Sequence, residues 1–260
     1  MDGVSFSLGD SFTLNEQARH HLVRVLRLSV NDFFEILVQG DTPHAYLAQF
    51  LFTDENKSEA KILKEIALTK TNNVDLIVGL PKPSIADFIV EKSIELNVRN
   101  LVFFVASRTQ GKLTSEQILS KLSRFQRIQE AALKQSGPQS YVSKIEIYPS
   151  LENYLKGHLS GDTDSTLKLI CCLAGNSSPQ PPKIVDFLST SRRFRQQSEQ
   201  LKDNGNYAEI SIIVGPEGGL TDEEISLAKT FAYQPASLGE KVMRTETAFI
   251  AAGSIASLLG

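Results

Sequence analysis

The sequence predicts an α/β fold in which a small β-rich unit precedes a larger domain built on a mainly parallel sheet. Three observations carry this. From Val74 onward, apolar β-branched runs alternate with segments of helical periodicity, the pattern of strands joined by helical crossovers. Before that point the runs are strand-like and separated by turn residues, with one helical segment among them. Between the two lies Leu68-Thr69-Lys70-Thr71-Asn72-Asn73, a polar connection that sets the expected domains at 1–70 and 71–260.

The 260 residues suffice for a sizeable core, and 41% hydrophobic with 22% charged residues sets aside disordered and fibrous classes. A net charge of -3 carries no global nucleic-acid signal, so any RNA binding must come from local basic patches. Cys171 and Cys172 are adjacent in the apolar run 167–174, which reads as a buried strand; they are expected to be core residues in a reducing compartment. His20, His21, His44 and His158 have no metal-ligand spacing with them, and no metal site is expected. No apolar run reaches membrane-spanning length and the N-terminus lacks a signal-peptide pattern, so a cytoplasmic location is expected.

Within residues 1–70, Asn15 can cap a helix over 16–28 whose apolar side carries Ala18, Leu22, Val25 and Leu26. His20, Arg24 and Arg27 fall at i, i+4 and i+7 and would share another face, either a solvated basic one or one that contacts phosphates. Residues 33–38, 45–53 and 58–66 are three strand candidates separated by turn residues, Gly40-Asp41 among them, as in a small barrel or curled sheet.

In the second domain, residues 74–80 read as a strand ended by Pro81-Lys82-Pro83, and 84–96 as a helix. A strand over 100–106 and the polar loop 107–112 follow. Ser115 then opens a long amphipathic helix with Ile118, Leu122, Phe125, Gln129 and Ala132 along one side. Lys121, Arg124 and Arg127 lie on its other faces, either solvated or turned toward a polyanion. Residues 183–206, with Arg192, Arg193, Arg195 and Lys202 and few apolar side chains, read as a peripheral surface helix and turn.

Two late strand-to-helix loops are specialised. Ile212-Ile213-Val214 leads directly into Gly215-Pro216-Glu217-Gly218-Gly219, whose glycines let backbone come close to a ligand; Thr221 and Glu224 then stand at capping-box spacing. The second runs from Leu238-Gly239 through Lys241 and Arg244 to a helix of small and apolar residues that Thr245 or Thr247 can cap. In isolation, Arg244 and Glu246 read as an ordinary solvated pair; the neighbouring glycine loop turns the segment into a ligand loop. Neither G-x-G-x-x-G nor G-x-x-x-x-G-K-[ST] nor G-x-S-x-G is present, which argues against a dinucleotide site, a P-loop and a serine hydrolase.

Residues 214–225, with Leu238-Gly239 and Met243-Arg244-Thr245-Glu246-Thr247-Ala248, closely resemble the bacterial ribosomal RNA small subunit methyltransferase E family. That family is a branch of the knotted SPOUT methyltransferases that uses S-adenosylmethionine to methylate N3 of one uridine in 16S ribosomal RNA. His21-Leu22-Val23-Arg24-Val25-Leu26-Arg27 is similar to its N-terminal motif, and residues 91–98, Ser107-Arg108, Glu130-Ala131-Ala132 and Gln135-Ser136-Gly137 extend the likeness over nearly the whole chain. Two departures stand out. Pro138-Gln139-Ser140 replaces the arginines usual there, and the first 14 residues contain no arginine where the family has an Arg-containing β segment.

The resemblance implies an N-terminal PUA-like RNA-binding β-barrel, a C-terminal SPOUT domain with a trefoil knot, and a homodimer whose site draws on both chains. Periodicity alone gives no hint of a knot, because true knots are rare. It also implies that S-adenosylmethionine lies against three loops: Leu173-Ala174-Gly175; Gly215, Glu217, Gly218, Gly219 and Leu220; and Leu238, Gly239, Val242 and Met243, with Thr245 adjoining. Arg244, and secondly Arg108, are expected to stabilise charge on the uracil oxygens. Glu246 either accepts the N3 proton, directly or through water, or orients Arg244, the orienting role being preferred; Glu217 is a further acidic candidate or a tie that shuts its loop. His21, Arg24, Arg27, Arg124 and Arg127 are the expected contacts to 16S ribosomal RNA in the small subunit. Two other readings stay open: a non-catalytic RNA-binding or ribosome-assembly protein on the same scaffold, and a SPOUT enzyme acting on another RNA, such as transfer RNA ribose.

Overall fold

The computed structural model describes residues 6–38, 44–53, 57–66, 72–109, 111, 113–136, 142–158, 166–172, 181–187 and 209–259. The chain divides into two compact units, one of residues 1–70 with 134–140, the other of residues 71–133 with 141–260.

In the first unit, strands β1 (Ser11–Thr13), β2 (Phe33–Val38), β3 (His44–Thr53) and β4 (Ser58–Ile66) form an antiparallel sheet in the order β1-β4-β3-β2. Side chains alternate across it: Ala48, Phe50, Ala60 and Ile62 are buried, while Lys61, next to the last two, is exposed. The sequence predicts no strand at β1, whose three residues are too few to show a period.

The helix predicted over 16–28 is shorter and changes pitch. Asn15 caps it, its Oδ1 accepting from the Ala18 N–H at 2.8 Å, but α1 (Glu16–Arg19) gives way to a π-helical segment, His20–Val25. The Leu26 N–H reaches the His21 carbonyl at 2.9 Å, an i to i+5 bond. Arg27, at φ 55, then turns the chain out of the helix, and the Leu28 N–H bonds back to Leu22. His20, Arg24 and Arg27 therefore do not share one α-helical face. The wide turn is held by packing, because Leu22 is buried against Leu14 and Phe50.

In the second unit six strands, β5 (Asn72–Gly79), β6 (Val98–Phe104), β7 (Lys144–Tyr148), β8 (Leu167–Cys171), β9 (Ile210–Val214) and β10 (Gln234–Ala236), form a wholly parallel sheet. Its order is β10-β8-β9-β5-β6-β7. Helices α2 (Pro83–Glu95), α3 (Ser115–Ser136), α4 (Leu151–Gly157), α5 (Asp222–Thr230) and α6 (Thr245–Leu259) are among those described. Every residue of β9 is buried because both faces of the sheet are covered. On one face Leu76, Phe103 and Ile212 pack with Ile89 of α2, Phe125 of α3 and Phe249 of α6. On the other, Ile77, Phe104 and Ile213 pack with Leu155 of α4 and Ala228 of α5.

Several polar residues inside this frame are paired. Gln129, on the apolar side of α3, donates to the Ser143 carbonyl at 2.7 Å, and Ser143 Oγ donates to the Val98 carbonyl at 2.6 Å. At the amino ends of the strands Arg99 forks onto both oxygens of Asp75, at 2.9 and 2.8 Å, and also bonds Glu209, so one guanidinium ties β5 and β6 to the entry of β9. Of the expected surface helix over 183–206, residues 183–187 are described; 184–187 are helical as expected, but Ile184 is only 1% exposed in the main core, so this part is not wholly peripheral.

Because all six strands are parallel, the loops that follow β5, β6, β9 and β10 leave from one edge of the sheet. β9 lies between β8 and β5, where the chain order along the sheet changes direction, and open parallel sheets bind ligands at such a point.

Candidate active site

The loop after β9 is locked onto its neighbours by three contacts. At the first, the Cβ that any other residue would add at Gly79, the last residue of β5, would lie 2.3 Å from Pro216 Cδ and 2.7 Å from Pro216 N. Only glycine lets the loop cross there. The second is Glu217, whose Oε1 accepts from the Lys82 N–H at 3.1 Å across 135 residues. Lys82 is the N-cap of α2 and its own side chain makes no cap bond, so Glu217 supplies the carboxylate that the helix start favours. This is the loop-tie role.

The third contact is Arg108, in the loop after β6. Its Nη1 donates to the Gly218 carbonyl at 3.1 Å, and a Cβ on Gly218 would stand 3.3 Å from Arg108 Cβ. Glu223 registers the same cation: its carboxylate is held below the usual range by a hydrogen bond to its own backbone and by the Thr221 hydroxyl, with the charge of Arg108 adding to both. Thr221 and Glu224 form the predicted capping box of α5. The second oxygen of Glu224 does something the spacing could not show, accepting from the Ser107 N–H at 2.8 Å and the Ser107 hydroxyl at 3.1 Å.

After β10 the chain turns at Ser237, whose Oγ donates to the Gly239 carbonyl at 2.7 Å and accepts from the Gly239 N–H at 3.1 Å. Gly239 has φ 147, a conformation that L side chains rarely adopt. Leu238 and Met243 are half-buried against the main core, whereas Val242 is 83% exposed. The helix α6 begins at Thr245, with the Arg244 carbonyl accepting from the Ala248 N–H at 2.8 Å. Thr245 is thus the first helical residue rather than a cap.

Two polar atoms at this helix start are buried and unpaired among the described residues: Thr245 Oγ1, on a residue only 3% exposed, and Glu246 Oε2. Arg244 is exposed, and among the described residues no ion pair joins it to Glu246. The pairing that an orienting role for Glu246 needs is not formed. Leu173, Ala174 and Gly175, like Pro138-Gln139-Ser140, lie outside the described residues.

Of the expected RNA contacts, Arg24 and Arg27 are exposed and His21 is half-buried, all in the first unit. Arg124, in the second, is bound to Asp87, and the Arg127 Nε makes a long 3.4 Å bond to the Ser123 carbonyl of its own helix. The thiols are poor nucleophiles: desolvation pushes Cys171 up to about 12 and raises Cys172 too, although each keeps some accessible surface. Among the described residues no group of three His, Cys, Asp or Glu side chains could hold a metal ion, and no helix is long and apolar enough to cross a membrane.

Known proteins can be compared with this geometry. Residues 69–257 match the model of the RNA methyltransferase domain family. A ribosomal RNA small subunit methyltransferase E of Synechocystis is 30% identical over 245 residues, covering 91% of this chain and 69% of its own length. Ribosomal RNA small subunit methyltransferase E 1 of Borreliella burgdorferi is 26% identical, with 94% and 90% covered. The crystal structure of the Neisseria gonorrhoeae ribosomal RNA small subunit methyltransferase E, bound to S-adenosyl methionine, shares the fold at a TM-score of 0.69 and 24% identity, over 98% of this chain and 93% of that one. The family-model match, the curated relatives and the shared parallel-sheet fold converge, and this chain belongs to the ribosomal RNA small subunit methyltransferase E family of RNA methyltransferases.

Proposed function

We propose that the chain methylates N3 of a specific uridine in 16S ribosomal RNA of the small subunit, with S-adenosylmethionine as donor. The carrying observation is the pair of buried atoms Thr245 Oγ1 and Glu246 Oε2, unpaired among the described residues, at the helix start that follows the Gly239 turn. An unsatisfied buried polar group costs about 1–3 kcal/mol, a cost that a bound ligand removes. The residues present fit the cofactor: Gly215, Gly218, Gly219 and Gly239 are at least partly exposed and carry no side chain that would hold a ligand away from the loops, and Leu238, Val242 and Met243 offer apolar surface. Leu220 and Glu217 shape the same wall. Leu173-Ala174-Gly175 complete it in this reading, supported by the position of β8 between β10 and β9. When bound, S-adenosylmethionine supplies an electrophilic methyl on a sulfonium.

The chain's own residues must then make uracil N3 a nucleophile. Its proton has a pKa of about 10, close to that of a tyrosine, so N3 is protonated at neutral pH. In this reading Glu246 takes that proton through its unpaired Oε2, directly or through water; the lack of an ion pair with Arg244 among the described residues supports this over the orienting role. Arg244, exposed and two residues before Glu246, stabilises the charge that develops on the uracil oxygens; Arg108, already spending one donor on Gly218, is second. His21, Arg24, Arg27 and Arg127 take the flanking phosphates.

The finer architecture belongs to the same reading: a PUA-like barrel around the four-stranded sheet, a trefoil knot in the SPOUT domain, a homodimer, and a cytoplasmic setting. The first is supported by the antiparallel strands, whose register shifts at Leu47/Ala48 and Phe50/Phe52 are the kind of irregularity that bends a sheet. The knot is supported by the insertion of β9 between β8 and β5 and the placement of β10 beyond β8.

The test is methyl transfer from labelled S-adenosylmethionine to small subunits from cells lacking the modification, mapped by reverse transcription. A single new stop at a uridine, with label incorporated, is the expected result. Label without a stop moves the methyl to another atom, and cofactor binding with every RNA unlabelled points to the non-catalytic reading.

A further inference from the structure

We propose that Glu224 is a positioning residue, whose buried carboxylate sets the Ser107-Arg108 turn against the glycine loop so that Arg108 stands at the edge of the methyl-transfer site. This rests on the functional reading above and adds to it a residue that touches neither cofactor nor RNA.

The geometry exceeds what a helix cap requires. A capping-box glutamate needs one oxygen for the N-cap N–H, and Glu224 Oε2 does this, accepting from Thr221 N–H at 2.8 Å. The other oxygen of such a residue ordinarily faces water. Here Glu224 is only 7% exposed, and Oε1 takes both donors of Ser107, from a loop 117 residues earlier. Three donors converge on one buried anion, which fixes it and everything that hydrogen-bonds to it.

What it fixes is a turn. The Thr109 N–H bonds the Ala106 carbonyl at 2.9 Å, so Ser107 and Arg108 are the two central residues of a four-residue turn. Opposite stands a second such turn, closed by the Gly219 N–H on the Pro216 carbonyl at 2.8 Å, with Glu217 and Gly218 at its centre. Arg108 bridges the two through its 3.1 Å bond to the Gly218 carbonyl. Glu224 is thus the buried end, and Arg108 the exposed end, of one connection between the loops after β6 and β9. Arg108 uses one of its five N–H donors on Gly218, leaving four for a substrate anion.

The experiment separates this role from plain capping. Thr221→Ala removes the cap hydroxyl but leaves both Ser107 bonds to Glu224, whereas Glu224→Ala removes cap and tie together. Melting temperature, cofactor affinity, and kcat and KM on unmethylated small subunits are measured for wild type, both variants, Glu224→Gln, Arg108→Ala and the Arg108→Ala/Glu224→Ala double variant. A misplacement of about 1 Å at a reacting site costs up to ~10²-fold. Glu224→Ala is expected to lower kcat about 10- to 100-fold and to add little further loss in the Arg108→Ala background. Thr221→Ala, though less stable, should keep kcat within about twofold of wild type.

Glu224→Gln keeps the volume, so it folds even where Glu224→Ala does not; it should lose kcat in part, because its NH₂ must face one of the three donors. An active wild type whose Glu224→Ala or Glu224→Gln variant loses only melting temperature overturns the assignment alone. So does an equal loss of kcat from Glu224→Ala with and without Arg108. A wild-type protein that labels no RNA overturns the functional reading, and this assignment falls with it.

Discussion

Arg244, Thr245 and Glu246 are consecutive, yet the fold gives each a different environment. Arg244 is exposed, and among the described residues the buried Thr245 hydroxyl and one oxygen of Glu246 have no partner. An exposed guanidinium without an ion pair among the described residues need break none to reorient, so its worth lies in what it meets in the transition state. Arg244→Ala should therefore reduce turnover by ~10² or more, the usual loss on removing an oxyanion donor, while S-adenosylmethionine affinity by calorimetry stays near wild type. Near-normal turnover would take Arg244 out of the mechanism. Reduced affinity with normal turnover would move it to the cofactor instead.

Elements show why some of this was legible and some was not. The buried strand β9 and the capping box of α5 follow from local composition and spacing, and the structure has both. β1 and the π-helical turn do not: three residues carry no period, and only the burial of Leu22 against Leu14 and Phe50 selects the wider pitch. In the site, glycine content marked the two loops. The contacts of Glu217 with Lys82 and of Glu224 with Ser107 join residues more than a hundred positions apart, and no local signal encodes them.

Gly79 belongs to the same class. It reads as an ordinary strand end, but it is the floor over which Pro216 passes. A methyl group 2.3 Å from a proline ring atom and 2.7 Å from backbone nitrogen cannot be accommodated by rotating a side chain. Gly79→Ala should cost about 1–3 kcal/mol of stability through overpacking and should displace the glycine loop. Calorimetric melting and cofactor titration on the same variant check both effects. A stable variant with full affinity would mean that the loop can lift off β5 freely.

For the whole molecule the governing number is the net charge of -3, which repels a polyanion at long range unless cations are clustered where the RNA lies. The cations are not equivalent. Arg124 is already neutralised by Asp87, and the Arg99 guanidinium is consumed by Asp75 and Glu209 at the opposite edge of the sheet from the site loops. Arg24 and Arg27 are exposed, and Arg27 is held at φ 55, outside the helix, by the backbone bond that closes the π-helical segment. Each phosphate contact contributes about 0.7–0.9 to the slope of log affinity against log salt concentration. Removing Arg24 and Arg27 together should therefore flatten that slope by about 1.4–1.8 for binding to small-subunit ribosomal RNA, with no change in S-adenosylmethionine affinity. Arg124→Ala should leave the slope as it is, since its charge is not free to displace a counterion. A slope that flattens for Arg124→Ala but not for the Arg24/Arg27 pair would place the RNA on the long helix of the second unit and remove the N-terminal motif from the interface.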